Sequence, residues 1–267
     1  MNRSYLFVPA NRPDRYAKAC AARAHAVIID LEDAVAADDK PSARASLLDW
    51  LPQAPRPVLV RVNATGTEWF DDDLRAVAAA PNVEGVLLPK AEQPGDINRL
   101  TAARDDMRIY PLIETARGLW DVLSIAQVRG VGALLFGSLD FQADLGILDD
   151  DLVYARSKLV VASRVAGIAP PIDGVTQAID DAELLRRDCA RARQLGFGGK
   201  ACIHPAQVDV VNASFAPTAA EVEWAERIVA AFAQEAGGAV RVEGRMVDRP
   251  VLLKAQAVLA ERMPPRN

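Results

Sequence analysis

Eight short apolar runs, each followed by a stretch with helical spacing, constrain what this chain can fold into more than any other feature. They read SYLFVPA, HAVIIDLED, PVLVRVN, GVLLPK, RIYPLIE, GALLFGSLD, GIAPPIDGV and GKACIHP. Runs that are apolar without alternation suit strands buried on both faces, the habit of parallel sheets. The intervening segments read as helices. Pro41 suits a helix start, and Gly167 and Gly196 suit helix ends. Strand then helix, eight times in about 215 residues, predicts a (β/α)8 TIM barrel. A doubly wound open sheet is the competitor. It seldom reaches eight units, and no glycine-rich phosphate turn follows the first run.

The barrel is expected over residues 1–216. Residues 217–267 form a C-terminal extension: a helix closed by Gly237 and Gly238, a short extended piece, a turn near Asp248-Arg249-Pro250 and a last helix, together a lid-like tail. Composition narrows the chemistry. Three cysteines without paired spacing give neither a disulfide framework nor a zinc site, and two histidines exclude a histidine-rich metal centre. A net charge of −5 with no basic block speaks against nucleic acid. The first residues do not read as a secretory signal, and no run approaches the length of a membrane span, so a cytoplasmic protein is expected.

In such a barrel the chemistry sits at the carboxyl ends of the strands. Those ends carry Asp30, Glu32 and Asp33, then Arg61 and Asn63, Lys90, Glu114, Asp140, Asp173, and Lys200 with His204. Glu114 and Asp140 fall on neighbouring strands, where two carboxylates repel unless a cation or proton lies between them. With no histidine partner the ligands are all oxygen, which favours Mg2+. Arg61, a cation inside an apolar strand, reads as a bidentate grip on a substrate carboxylate, with an outward snorkelling arginine as the alternative. Side chains alternate along a strand, so Asp30, Glu32 and Asp33 are not expected to point one way; one or two would support the metal and another would cap the next helix. Lys90 reads either as an imine-forming lysine or as a charge partner of those acids. His204 reads equally as a backbone-bonded histidine or a ligand contact. Arg12, Arg15 and Lys18 read as phosphate contacts or a solvated face, and Asp248 as a turn residue before Pro250.

Taken together, RSYLFVPANRPDRYAKA, DLEDAV, RVNATGTEW, LPKAE, IETARGL, GSLDF, GFGGKACIHPAQVDVVNASFAPTAAEV and GRMVDRPVLLKAQ, in this order from Arg3 to about Gln256, resemble the citrate lyase beta-subunit-like branch of the HpcH/HpaI aldolase superfamily, whose relatives include malyl-CoA, citramalyl-CoA and citryl-group lyases. The resemblance implies a TIM barrel dependent on Mg2+ or Mn2+, a homotrimer or dimer of trimers, and small-molecule substrates. It implies Glu114 and Asp140 as metal ligands and Arg61 as the group holding a 2-oxo acid. Phe7, Arg15, Lys18, Ile203 and His204 fall where relatives contact the coenzyme A thioester. Asp248 matches an acid supplied from the tail of a neighbouring subunit. Two departures bear on the mouth: Ala10 stands where relatives often carry glycine, and Leu139 where they often carry a polar residue.

The implied activity is reversible cleavage of a 3-hydroxyacyl thioester into a 2-oxo acid and an acyl thioester. Lyase, synthase and thioesterase outcomes stay open, as do the acyl group, coenzyme A against an acyl-carrier protein, and citrate lyase partner subunits. The rivals are a class II aldolase acting on free 2-oxo acids, an imine aldolase using Lys90, and a non-catalytic barrel.

Overall fold

Each apolar run becomes a strand, and the strands close on one another in chain order. The computed structural model describes residues 2–148, 152–234, 240–242 and 245–262. The strands are β1 (Ser4–Pro9), β2 (Ala26–Asp30), β3 (Val58–Arg61), β4 (Val83–Leu88), β5 (Arg108–Ile113), β6 (Leu135–Phe136), β7 (Ile172–Asp173) and β8 (Gly199–Cys202). All neighbours are parallel, and β1 closes the barrel on β8 with Tyr5 opposite Ala201. Residues such as Tyr5, Ile28, Leu59, Leu87, Tyr110, Leu112 and Leu135 pack together as one core cluster, with Phe7 against it. Their neighbours Leu6, Val27, Ile29, Val60, Val86 and Ile109 are buried as well. Both sides of these strands are therefore dry, which is why the runs lack alternation.

The helices are α1 (Tyr16–Ala21), α2 (Lys40–Trp50), α3 (Phe70–Ala79), α4 (Pro94–Ala103), α5 (Ala116–Trp120), α6 (Val122–Ala126), α7 (Ser138–Leu145), α8 (Val153–Ala166), α9 (Ala182–Leu195) and α10 (Pro205–Phe215). Gly167 and Gly196 end α8 and α9 with φ of 71° and 101°, the left-handed conformation that glycine adopts without strain.

Three details differ from the sequence reading. The helix expected after the fifth run is two short ones, divided at Asp121, where φ −94° and ψ 9° leave the helical region. The sixth run contributes only two residues to the ladder, and the chain turns at once into α7, which the apolar pattern did not reveal. Asp140 consequently lies in the first turn of a helix and not on a strand tip.

The chain divides into two compact units, Asn2–Ser214 and Phe215–Asn267. The second contains α11 (Ala219–Gln234), an antiparallel pair β9 (Val240–Val242) and β10 (Arg245–Val247), and α12 (Arg249–Arg262). It has its own core of Ala225, Ile228, Val247 and Ala255 with Trp224, Phe232 and Leu252 packed around it. Thr218 and Glu221 form a reciprocal cap at the start of α11: the Thr218 amide donates to Glu221 Oε2 at 2.7 Å, and the Glu221 amide to Thr218 Oγ1 at 3.2 Å. The expected turn at 248–250 is a helix start, since the Asp248 carbonyl accepts the Leu252 amide at 3.1 Å. The Asp248 side chain is exposed. Among the described residues no helix is long and apolar enough to cross a membrane.

Candidate active site at the barrel mouth

The barrel core ends upward in a cavity of about 410 Å3. Phe7, Leu112 and Leu135 continue the interior packing into its wall. Asp30, Asp33, Arg61, Glu114 and Asp140 give it charge, and Leu139 and Ile203 are exposed members of its lining.

β2 and β3 lie side by side with Asp30 opposite Arg61 in register. Arg61 Nε and Nη2 donate to the two oxygens of Asp30 at 2.6 and 2.7 Å, a fork on a carboxylate. Nη1 meets Glu32 Oε2 at 2.8 Å and Asp33 Oδ2 at 3.2 Å. The Phe7 ring lies 5.1 Å from the guanidinium carbon. All three acids thus reach one arginine, against the expectation of dispersal. The strand ends at Asp30, and the turn after it removes the alternation on which that expectation rested. Burial works against the charge of Arg61, but Asp30 foremost, with Glu32 and Asp33, outweighs it and raises the pKa.

A buried lysine holds this loop from below. Lys40 Nζ donates to the carbonyls of Leu31 and Glu32, each at 3.0 Å, and lies 5.0 Å from the Trp69 ring centre. The sequence marks Lys40 only as a residue before Pro41 at a helix start, and its role went unseen. Lys90 closes the other side. Its Nζ donates to Glu32 Oε1 at 2.8 Å. Burial disfavours its charge, yet the bond to Glu32 and the surrounding acids leave its pKa raised. A lysine held charged in this way, outside the cavity lining, is a charge partner and a poor imine nucleophile.

Glu114 follows β5, and Thr115 behind it caps α5 by accepting the Gly118 amide at 3.1 Å. The apolar run therefore stops at Glu114, because the next residue caps a helix. Glu114 is 2% exposed. One oxygen accepts the Lys90 amide at 2.8 Å, with Lys90 in the left-handed region at φ 48°. That conformation is uncommon outside glycine and persists where surroundings enforce it. The other side of Glu114 packs on Gly137, where an added Cβ would lie 2.6 Å from both Glu114 Cβ and Oε2. Burial first, and then Glu32 and Asp140, push the Glu114 pKa up to about 8, against the pull of the Lys90 amide.

Gly137, Ser138, Leu139 and Asp140 all line the cavity, so the start of α7 faces it with no side-chain cap. Unbonded first-turn amides and the helix dipole favour an anion there. Asp140 adds an acid to the same turn. Among the described residues no three His, Cys, Asp or Glu side chains gather into a metal cage. Glu114 and Asp140, the two acids not taken up by Arg61, offer a pair instead, Glu114 deeply buried and hard to ionise beside Asp140. Two hard oxygen donors with room for water and an anionic ligand suit a Mg2+-like ion, which rarely takes an all-protein cage.

Other predicted residues lie elsewhere. Asp173 and Lys200 do not line the cavity. They are 0% and 2% exposed and form an interior ion pair: Lys200 Nζ donates to Asp173 Oδ2 at 3.0 Å and to the Gly174 carbonyl at 2.6 Å. Arg156 Nε adds a bond to Asp173 Oδ1 at 3.1 Å. Gly174 and Val175, just beyond, do line the cavity, so this cluster anchors its wall. Phe7 and Ile203 line it too; Arg15, Lys18 and His204 are exposed and outside it. His204 Nδ1 accepts the Ala206 amide at 3.2 Å, a local backbone bond. Gln207, unnoticed in the sequence, accepts the Ile203 amide at 2.9 Å and donates to the Thr176 carbonyl at 2.9 Å, joining two loops of the mouth.

A closed parallel barrel with acids and an arginine gathered at one end is the frame of a catalytic protein. The family description "HpcH/HpaI aldolase/citrate lyase" matches residues 3–205, and "C-C_Bond_Lyase of the TIM-Barrel fold" matches 154–261. A citrate lyase subunit beta-like protein of Deinococcus radiodurans is 38% identical, covering 97% of this chain and 96% of the relative. A (3S)-malyl-CoA thioesterase of Cereibacter sphaeroides is 36% identical, with 97% of this chain and 96% of the relative covered. The crystal structure of CitE from Mycobacterium tuberculosis, in complex with magnesium, acetoacetate and coenzyme A, superposes with a TM-score of 0.86 at 36% identity, covering 98% of each chain. The chain belongs to the HpcH/HpaI aldolase/citrate lyase family, and by class it is a carbon–carbon lyase.

Proposed function

We propose that this chain is a Mg2+-dependent lyase that cleaves, or in reverse forms, a 3-hydroxyacyl coenzyme A thioester such as the malyl, citramalyl or citryl ester, giving a 2-oxo acid and an acyl thioester. The observation that carries the reading is the meeting of Glu114, Asp140 and Arg61 in one cavity. The magnesium and coenzyme A in the M. tuberculosis relative support it.

Glu114 and Asp140 would hold the ion, which when bound polarises the substrate hydroxyl and steadies the alkoxide of cleavage. Lys90 and Gly137 fix Glu114 from two sides, so its free oxygen is presented without a search. Arg61 and the open amides of α7 would take the carboxylate of the oxo-acid part. Glu32, Asp33 and Lys90 would act behind them. Phe7 and Ile203 from the lining, and Arg15, Lys18 and His204 on the exterior, would meet the thioester and its coenzyme A. Asp248, from the tail of a neighbouring copy in a homotrimer or dimer of trimers, would exchange the proton at the enolate carbon. Residues 217–267 would thus serve as a lid. Hydrolysis of the thioester is the second reading, favoured by the 36% identity to the malyl-CoA thioesterase.

The deciding experiment assays malyl-, citramalyl- and citryl-CoA, with free 2-oxo acid aldols as controls, with Mg2+ and with EDTA. Release of a 2-oxo acid from a coenzyme A ester, abolished by EDTA, is expected. Turnover of free aldols alone, or undiminished turnover in EDTA, would overturn the reading. Gly137→Ala bears on the same site. The intruding methyl must displace Glu114, and a misplacement of about 1 Å costs around 10²-fold in kcat. Unchanged kcat in a folded Gly137→Ala protein would show that packing at Gly137 does not set the carboxylate.

A further inference from the structure

Arg61 has no idle edge for the carboxylate that the lyase reading gives it. Nε and Nη2 are committed to Asp30, which is 2% exposed and is itself held by the amides of Glu32 at 2.9 Å and Ala34 at 3.3 Å. Nη1 faces Glu32 and Asp33. Glu32 is also buried, and its second oxygen is tied to Lys90 at 2.8 Å. Neither of these acids can leave without stranding a buried charge. Asp33 differs on each count. Its side chain is 57% exposed, its contact to Nη1 is the longest of the set at 3.2 Å, and Arg61 is its one ion-pair partner among the described residues. Asp33 lines the cavity, whereas Glu32 does not. Swinging Asp33 into water buries no acid charge, and it frees Nη1, which donates a hydrogen bond to Asp33, on the cavity side.

Charge points the same way. Leaving Glu114 aside, the lining carries Asp30, Asp33 and Asp140 against the single cation Arg61. An incoming carboxylate meets an excess of like charge, and Asp33 is the one of the three acids on Arg61 that is exposed to water.

Resting on the lyase reading, we propose that Asp33 keeps the substrate carboxylate's place on Arg61 in the free protein and is displaced when the oxo-acid part binds. Asp33 is then a specificity-determining residue that weakens anion binding: only a ligand whose carboxylate outcompetes it gains the arginine. A residue that merely shaped the loop would, when replaced, loosen binding; a placeholder tightens it.

The test is calorimetric titration of the full-length protein with glyoxylate and with pyruvate at saturating Mg2+. The proteins are wild type, Asp33→Asn, Asp33→Ser and Asp49→Asn, the last making the same change of net charge at an exposed residue outside the cavity. Thermal midpoints verify that each is folded. Both Asp33 variants should bind about tenfold more tightly than wild type, and Asp49→Asn should stay within about twofold of it. Equal or weaker binding by the Asp33 variants, or equal tightening by Asp49→Asn, overturns the proposal alone. No binding of either oxo acid to any of the proteins overturns the lyase reading, and this proposal with it.

Discussion

Lys200→Met is expected to remove about 3–5 kcal/mol from the folding stability of the barrel. The lysine is 2% exposed, and its Nζ bonds to the fully buried Asp173 and to the Gly174 carbonyl. Methionine fills much of the same space but leaves Asp173 with Arg156 alone and the carbonyl without its donor. Chemical denaturation of the two proteins measures the difference; a loss below about 1 kcal/mol would mean that Arg156 suffices. The effect has a pH signature. Burial alone would push the Asp173 pKa up, but Lys200 and Arg156 outweigh burial and hold it below the usual 3.8. A depressed carboxylate stabilises the folded state above its unfolded pKa and loses that contribution as the pH falls through the folded value. The wild-type advantage is therefore complete at neutral pH and should shrink in acid below about pH 3.8.

Glu114→Gln is expected to lower Mg2+-dependent cleavage by about 10³-fold, because the charge lost is one that would hold the ion, worth several kcal/mol in the transition state. Shape is kept, and the amide oxygen can still accept from Lys90. Stability should move the other way. With a pKa pushed up to about 8, the carboxyl of the ion-free protein favours its neutral form at neutral pH, and glutamine resembles that form. The thermal midpoint without metal should be unchanged or higher, as expected where a site is built against stability. A variant with wild-type turnover would remove Glu114 from the mechanism; one with a collapsed midpoint would make its role structural.

The barrel was legible in the sequence because a parallel sheet covered on both sides needs unbroken apolar runs, and those eight runs stand out from their surroundings. Helix α7 was hidden because its apolar face is short, although Asp140 in the first turn and Gly146 at the end are a start and a stop in retrospect. The acids around Arg61 were visible as residues but not as a cluster, since alternation is a rule for strands and fails where the strand ends. Asp173 and Lys200 looked like members of the mouth. Nothing in a linear pattern tells a charge at the tip of a strand from one neutralised a residue deeper, and Arg156, the third member, lies 17 positions before Asp173 in the chain. Lys40 and Gln207 act through backbone carbonyls and amides, contacts that composition does not register.

The wall of the barrel is unevenly stitched. β1 and β2 are joined from Tyr5–Ala26 to Pro9–Asp30, whereas β6 meets β7 at one rung, Leu135–Ile172. Regions with few ladder bonds breathe first. That loosely sewn side carries the segment after Phe136, with Gly137 and Asp140 on it, so this stretch can lengthen, shorten or change character while the rest of the cylinder stays closed. Tolerance of change is thus concentrated beside the cavity, whose lining can vary there without the scaffold being rebuilt.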